Sequence, residues 1–286
     1  MVAVSEVIRQ TRHREERSDV AIHVFVQRHK TTESKTPIRE SGLPHRLRTV
    51  RNDERKMRGK LMNNISIALD GPSGAGKSTL AKKTAGHFGF IYVDTGALYR
   101  CIGLFALRNN VASKDRENVI KLLPKIKLDM EYDEAGVQRM YLCGEDVTDA
   151  IRMPEISAYA SDVSAMPEVR EFLLKMQRDM ADKYNVIMDG RDIGTVVLPD
   201  AGLKIFITAD ADARANRRYL ELVAKGVATT FEEVKNAMIL RDKNDSERES
   251  SPLKAAEDAV ILDTTELTYD ESFKEICKLI SGRFNI

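Results

Sequence analysis

The chain of 286 residues has no tryptophan, three cysteines and five histidines, and aromatic residues make up only 6% of it. Each shortage excludes something. The cysteines, Cys101, Cys143 and Cys277, lie far apart, with no CxxC spacing and no histidine cluster beside them. Neither a disulfide framework nor a zinc site is implied, and buried free thiols in a reducing compartment are the expectation. No apolar run reaches the roughly 18 residues of a membrane span, and the N-terminus lacks the apolar stretch of a secretory signal. The expected location is the cytoplasm, with no membrane partner.

Charge of one sign is scarce only when the chain is taken whole. The net charge is +1, yet residues 1–61 carry 15 Lys and Arg against 8 Asp and Glu, a balance of +7, and residues 62–286 carry 30 against 36, a balance of −6. Four of the five histidines also fall in the first part, where periodicity is lacking apart from the short patch VAIHVFV at 20–26. A basic arm could attract nucleic acid. Here the charges are interleaved and stacking aromatics nearly absent, so no nucleic-acid partner is expected. Residues 1–61 read as a basic, disordered extension or a mis-assigned start. Met62, in MNNISIALDG, stands immediately before the first strand, and a protein beginning there is expected to be fully active.

Residues 62–286 alternate short β-branched runs with longer amphipathic stretches. Strands are predicted at 65–69, 90–93, 186–188, 203–208 and 259–262, and a helix at 77–87 repeats Leu80, Ala81, Thr84, Ala85 and Phe88 at helical spacing. Such alternation implies a parallel sheet covered by helices. The segment 125–147, KIKLDMEYDEAGVQRMYLCGEDV, breaks the rhythm. Its two alternating arms flank Asp133 to Gly136 and predict an inserted β-hairpin.

GPSGAGKST, residues 71–79, follows the apolar run ISIAL and Asp70. It matches G-x-x-x-x-G-K-[ST] between a strand and a helix, the context that confirms a phosphate-binding loop. Gly71, Pro72, Ser73, Gly74, Ala75 and Gly76 can turn successive N–H groups toward phosphate oxygens, and the helix N-terminus adds its positive end. Lys77 would reach the β and γ phosphates of ATP, Ser78 would ligate Mg²⁺, and Thr79, the residue after the motif, is grouped with the ATP-binding residues. A guanine-reading N-K-x-D is missing, since Asp242-Lys243-Asn244-Asp245 has the wrong order, and no LSGGQ motor signature occurs.

Arginines narrow the choice among phosphate-loop proteins. A kinase acting on a phosphate-bearing acceptor must bring two polyanions together and needs cations for both. Arg100, Arg170, Arg191, Arg214, Arg217, Arg218, Arg241 and Arg248 all stand near predicted element ends. Arg191 is the most telling, because it follows VIMDG at the carboxyl end of a buried-looking strand, where ligands bind in such sheets.

From Ile65 to about Gly282 the sequence resembles the bacterial cytidylate kinase family of nucleoside monophosphate kinases. The resemblance rests on DGPSGAGKST (70–79), DTGALYR (94–100), EDVTDAIR (145–152), PEVRE (167–171), DGRDIGTVV (189–197), RANRR (214–218) and RDKNDSERESSPL (241–253). It implies a parallel five-stranded sheet with flanking helices, a β-containing acceptor subdomain at about 95–185 that includes the 125–147 insert, and a lid at about 210–226. It also implies ATP and Mg²⁺ as cofactors, CMP and dCMP as acceptors, and a monomer.

Site roles follow residue by residue from that resemblance. Thr95 stands where the family often has serine beside the acceptor nucleotide. Arg100, Arg170 and Arg191 match arginines that grip the CMP phosphate, and Ser161, Asp192 and Arg241 match groups that read cytosine. Asp245 matches a carboxylate on the ribose and Arg248 an arginine near the reaction centre. Asp189 would hold magnesium through water, with Asp70 the second choice. Arg214 and Arg218, four apart on one helical face, are lid candidates for the transferring phosphate beside Arg217. The rival functions are a kinase for UMP or another small acceptor, and a noncatalytic nucleotide-binding switch.

Overall fold

The computed structural model describes residues 64–133 and 136–286. The extension assigned to residues 1–61, and Met62, lie outside them. In chain order the strands are β1 (Ser66–Asp70), β2 (Ile91–Asp94), β3 (Leu128–Tyr132), β4 (Gln138–Leu142), β5 (Glu145–Asp146), β6 (Val186–Asp189), β7 (Leu203–Thr208) and β8 (Val260–Asp263). The α-helices are α1 (Lys77–Phe88), α2 (Thr95–Arg108), α3 (Arg116–Leu122), α4 (Pro154–Ser164), α5 (Pro167–Lys183), α6 (Ala211–Ala224), α7 (Phe231–Glu247) and α8 (Tyr269–Phe284). None of these helices is long and apolar enough to cross a membrane. The described residues form two compact units, 97–163 on one side and 64–96 with 164–286 on the other.

The larger unit is built on a parallel sheet in the order β2-β6-β1-β7-β8. Its strands are apolar because helices cover them, as parallel sheets require. Ile67, Leu69, Ile187, Ile205 and Ile207 are buried against Leu80, Ala81 and Ala85 of α1 and Ile276 and Ile280 of α8. Thr230 and Thr268 each close a capping box with the glutamate three residues on, which satisfies the first amides of α7 and α8. All five expected strands are present. Four of them run one residue further than the apolar pattern, through Asp70, Asp94, Asp189 and Asp263. The ladder continues into these acids, with Asp94 opposite Asp189 and Leu69 opposite Asp189, because backbone pairing is indifferent to a side chain that can be satisfied at the sheet's carboxyl edge.

Residues 97–163 hold most of α2, all of α3, nearly all of α4 and a three-stranded antiparallel sheet, β3-β4-β5. The expected hairpin is there, with Met130 opposite Met140 and Leu128 opposite Leu142 on the buried face. The two-residue β5 was not foreseen, since two exposed residues display no periodicity. The long helix α5 groups with the larger unit, which places Arg170 there.

Helices α2 and α4 meet at Gly103. A Cβ on that residue would stand 2.9 Å from Tyr159 Cβ and 3.2 Å from the Ala160 nitrogen. Alanine improves helix propensity by up to about 1 kcal/mol, whereas the clash falls on a main chain and a Cβ that cannot swing away. Gly103→Ala is therefore expected to be net destabilising by about 1–3 kcal/mol, measured by urea unfolding. A stabilised variant would show that the two helices separate at little cost.

Candidate active site

The carboxyl edge of the large sheet collects the chemistry. β1 leads into the loop Gly71–Gly76, and Gly74 and Gly76 adopt φ of +73° and +82°, a region that side chains with a Cβ avoid. Lys77, the first residue of α1, is buried, and its Nζ donates to the Pro72 carbonyl at 2.7 Å. Burial, then the nearby Arg191 charge, lowers the Lys77 pKa, against the pull of Asp189 and Asp70. An ammonium held in a dry loop beside a second cation is stabilised by any incoming anion.

Asp189, the last residue of β6, is the junction of the edge. Its Oδ2 accepts from Ser78 Oγ at 2.6 Å, its Oδ1 accepts from Tyr92 OH at 2.9 Å, and its main-chain oxygen accepts from Thr95 Oγ1 at 2.7 Å. Burial, followed by the charge of Asp94, raises its pKa. A hydroxyl and a carboxylate in contact beside a phosphate loop fit Mg²⁺, which takes one or two protein ligands and completes its shell with water and phosphate. A cation there would offset the cost that raises the Asp189 pKa.

Asp70, the alternative metal group, is committed elsewhere. Its two oxygens accept the N–H groups of Ile193 at 2.8 Å and Gly194 at 2.7 Å, where the π-helical turn Ile193–Val197 begins. It is the anchor of the DGRDIG segment, and the carboxylate is spent on those amides.

That anchored segment carries Arg191 and Asp192. Asp192 Oδ2 pairs with Arg170 and its Oδ1 lies 3.8 Å from Arg248, while Arg191 Nε donates to Asp245 at 2.9 Å. Ser251 ties the set together, its hydroxyl accepting from Arg170 at 3.1 Å and its carbonyl from Arg248 at 2.6 Å. Arg170 and Arg248 thus flank one buried carboxylate and Arg191 holds another, so each cation of the group is offset by a carboxylate. Arg241 lies on α7 with its Nε buried. Arg100 on α2 and Ser161 on α4, both half-buried, belong to the 97–163 unit.

The three arginines of α6 part company. Arg214 is buried, donating to the carbonyls of Ala209 and Ser73 and pairing with Asp242 on α7. Arg217 grips Thr264 through its hydroxyl and its carbonyl. Arg218 is half-buried and pairs with Glu221 at 2.7 Å. The spacing of four that suggested one shared environment for Arg214 and Arg218 does not give one: the first turn of α6 faces the loop Gly71–Gly76, whereas one turn later the same stripe has passed beyond it. Sequence reasoning also missed Tyr92, hidden in an apolar strand pattern, and Asp242, which looks like one more charge in RDKND.

A β-strand, a glycine-rich GxxxxGKS loop and a helix on a parallel sheet define the class, the phosphate-loop nucleotide-binding folds. Within it, the cytidylate kinase family profile matches residues 67–282. The chain is 49% identical over 218 residues to a cytidylate kinase of Caldicellulosiruptor bescii, 76% of this chain and 96% of that one. It is 50% identical to the cytidylate kinase of Caldicellulosiruptor saccharolyticus over the same shares, and 48% identical over 221 residues to that of Limosilactobacillus reuteri, 77% of this chain and 96% of the relative. The chain belongs to the cytidylate kinase family.

Asp70 supplies a pH signature. Burial lifts its pKa to about 6 from an ordinary 3.8, more than the two amide bonds lower it. A folded-state pKa above the unfolded one means that this group's stabilisation is fully present below about pH 4 and is lost as pH rises to about 6. Asp70→Asn removes the titration. The stability of wild type relative to Asp70→Asn is expected to fall by up to about 3 kcal/mol across that window and to stay level above it. Denaturant unfolding at stepped pH measures it, and a constant difference would make Asp70 an ordinary carboxylate.

Proposed function

We infer that this protein transfers the γ-phosphoryl group of ATP to the phosphate of CMP or dCMP, giving ADP and CDP or dCDP, and so supplies pyrimidine nucleotides in the cytoplasm. The observation that carries the reading is one sheet edge on which Lys77 and the Ser78–Asp189 contact stand with the Arg170, Arg191 and Arg248 cluster. Family membership points to the same acceptors.

The acceptor phosphate is already ionised, so no strong general base is needed, and alignment plus neutralisation of charge does the work. Residues 71–79 cradle the donor phosphates and Lys77 follows the charge as it moves. Ser78, with Asp189 through water, would hold Mg²⁺. When bound, the ion neutralises charge on the β and γ oxygens. Arg100, Arg170 and Arg191 have the family's role of taking the acceptor phosphate, and Arg170 and Arg191 would each exchange a carboxylate partner for it. Asp192 and Asp245, released by that exchange, turn to the cytosine amino group and the ribose. Ser161, Arg241 and Thr95 complete the nucleoside contacts, and Arg248 stands at the transferring group. Residues 95–185 act as the acceptor subdomain, 210–226 as the lid, and residues 1–61 are dispensable. The protein works as a monomer.

An acceptor screen with ATP tests the assignment: CMP and dCMP are expected to be phosphorylated in preference to UMP, and transfer to none of the three would remove it. Lys77→Ala is expected to lower kcat at least about 100-fold, as loss of one preorganised donor does, with an unchanged melting temperature. A kcat near that of wild type would refute the role.

Asp192 decides base reading. A lost hydrogen bond to a charged group costs roughly 1.5–3 kcal/mol, so Asp192→Ala is expected to lower kcat/KM for CMP by about 10- to 150-fold and for UMP much less. The variant also strips Arg170 of its carboxylate, and some thermal stability goes with it. An unchanged ratio of CMP to UMP would leave Asp192 only the task of holding Arg170.

A further inference from the structure

The phosphate loop is gripped from outside, at one residue, by two helices distant in sequence. Asp242 Oδ1 accepts the Ser73 N–H at 3.0 Å, and Arg214 NH1 donates to the Ser73 carbonyl at 2.8 Å. Arg214 and Asp242 also pair with each other, and Arg214 Nε is fixed on the Ala209 carbonyl at 2.9 Å. Both polar groups of one loop residue are thus held by one ion pair, which is itself largely buried. At the next residue the grip continues as packing, because a Cβ on Gly74 would lie 2.5 Å from Met238 Cε and 3.1 Å from the Arg214 carbonyl.

A trans peptide is planar, with its C=O and N–H pointing in opposite directions. Fixing the Ser73 carbonyl on Arg214 therefore aims the Gly74 N–H away from α6. Gly74, at φ +73°, has little intrinsic preference that would hold this peptide. The Ser73 N–H, taken by Asp242, is withdrawn from phosphate duty. We propose that Asp242 and Arg214 are positioning residues for the donor nucleotide: they lock the Ser73–Gly74 peptide so that the Gly74 amide is set for the phosphates before ATP arrives. Neither side chain needs to touch the nucleotide. Arg214 is thereby assigned to the loop instead of to the transferring phosphate, and the α6–α7 pair becomes the support of the donor site.

The inference rests on the loop's being the ATP site, so wild-type affinity for ADP is measured first; lack of binding would remove that reading and not this one alone. Asp242→Ala removes the acceptor and the charge, and Asp242→Asn keeps an acceptor oxygen for Ser73 while ending the charge pair. Calorimetric Kd for ADP and KM for ATP are expected to rise about 10-fold in Asp242→Ala, worth about 1.4 kcal/mol, and by less in Asp242→Asn. KM for CMP is expected to stay within about twofold. A merely structural ion pair moves the melting temperature and both substrates alike. Donor and acceptor constants rising in proportion, or neither changing, would overturn the proposal. Should Asp242→Ala not fold, Asp242→Asn is read by the same criterion.

Discussion

Three hydroxyls converge on Asp189, and the rest of the site is arranged around what they fix. Ser78 brings the start of α1, Tyr92 brings β2 and Thr95 brings the start of α2, all to one residue at the end of the second strand in the sheet order. A buried carboxylate is expensive unless it is hydrogen-bonded, so its rotamer is set by its donors and theirs by it. The phosphate loop's exit and the acceptor turn therefore take their positions from a common point.

The second constraint is electrostatic. A site for two polyanions must assemble cations, and uncompensated cations at short range destabilise a fold. The solution here is intramolecular: Asp192 stands between Arg170 and Arg248, and Asp245 holds Arg191. Removing one partner of such a buried pair is costly, whereas exchanging a carboxylate for a phosphate keeps the charge count. Such an exchange would free the same carboxylates to accept hydrogen bonds elsewhere. Asp70 does related work by other means, spending its charge on two amides to pin the segment from which Arg191 and Asp192 project.

Much of this was legible in the sequence. The loop, its strand and its helix follow from glycine spacing and apolar periodicity, and all five sheet strands were found within a residue or so of their ends. What escaped has a common cause. β5 is too short to show a period, Tyr92 reads as a strand residue because its hydroxyl matters only once β6 is beside it, and Asp242 meets Ser73 across a separation of 169 residues. Periodicity reports the face on which a side chain sits, whereas partners of this kind are set by tertiary register.

The arginines of α6 show how far residue type stops short of role. All three are long cations within five positions, and their differences come from what each would forfeit by moving. Arg214 would leave an unpaired buried carboxylate and a freed loop carbonyl, and Arg217 would leave two groups of Thr264. Arg218 would leave one exposed glutamate three residues away, a pairing of a kind worth at most about 1 kcal/mol. The same helix therefore holds two arginines fixed by what they support and one tied to a neighbour on its own surface. On α6 the cation whose present partner costs least to abandon is Arg218.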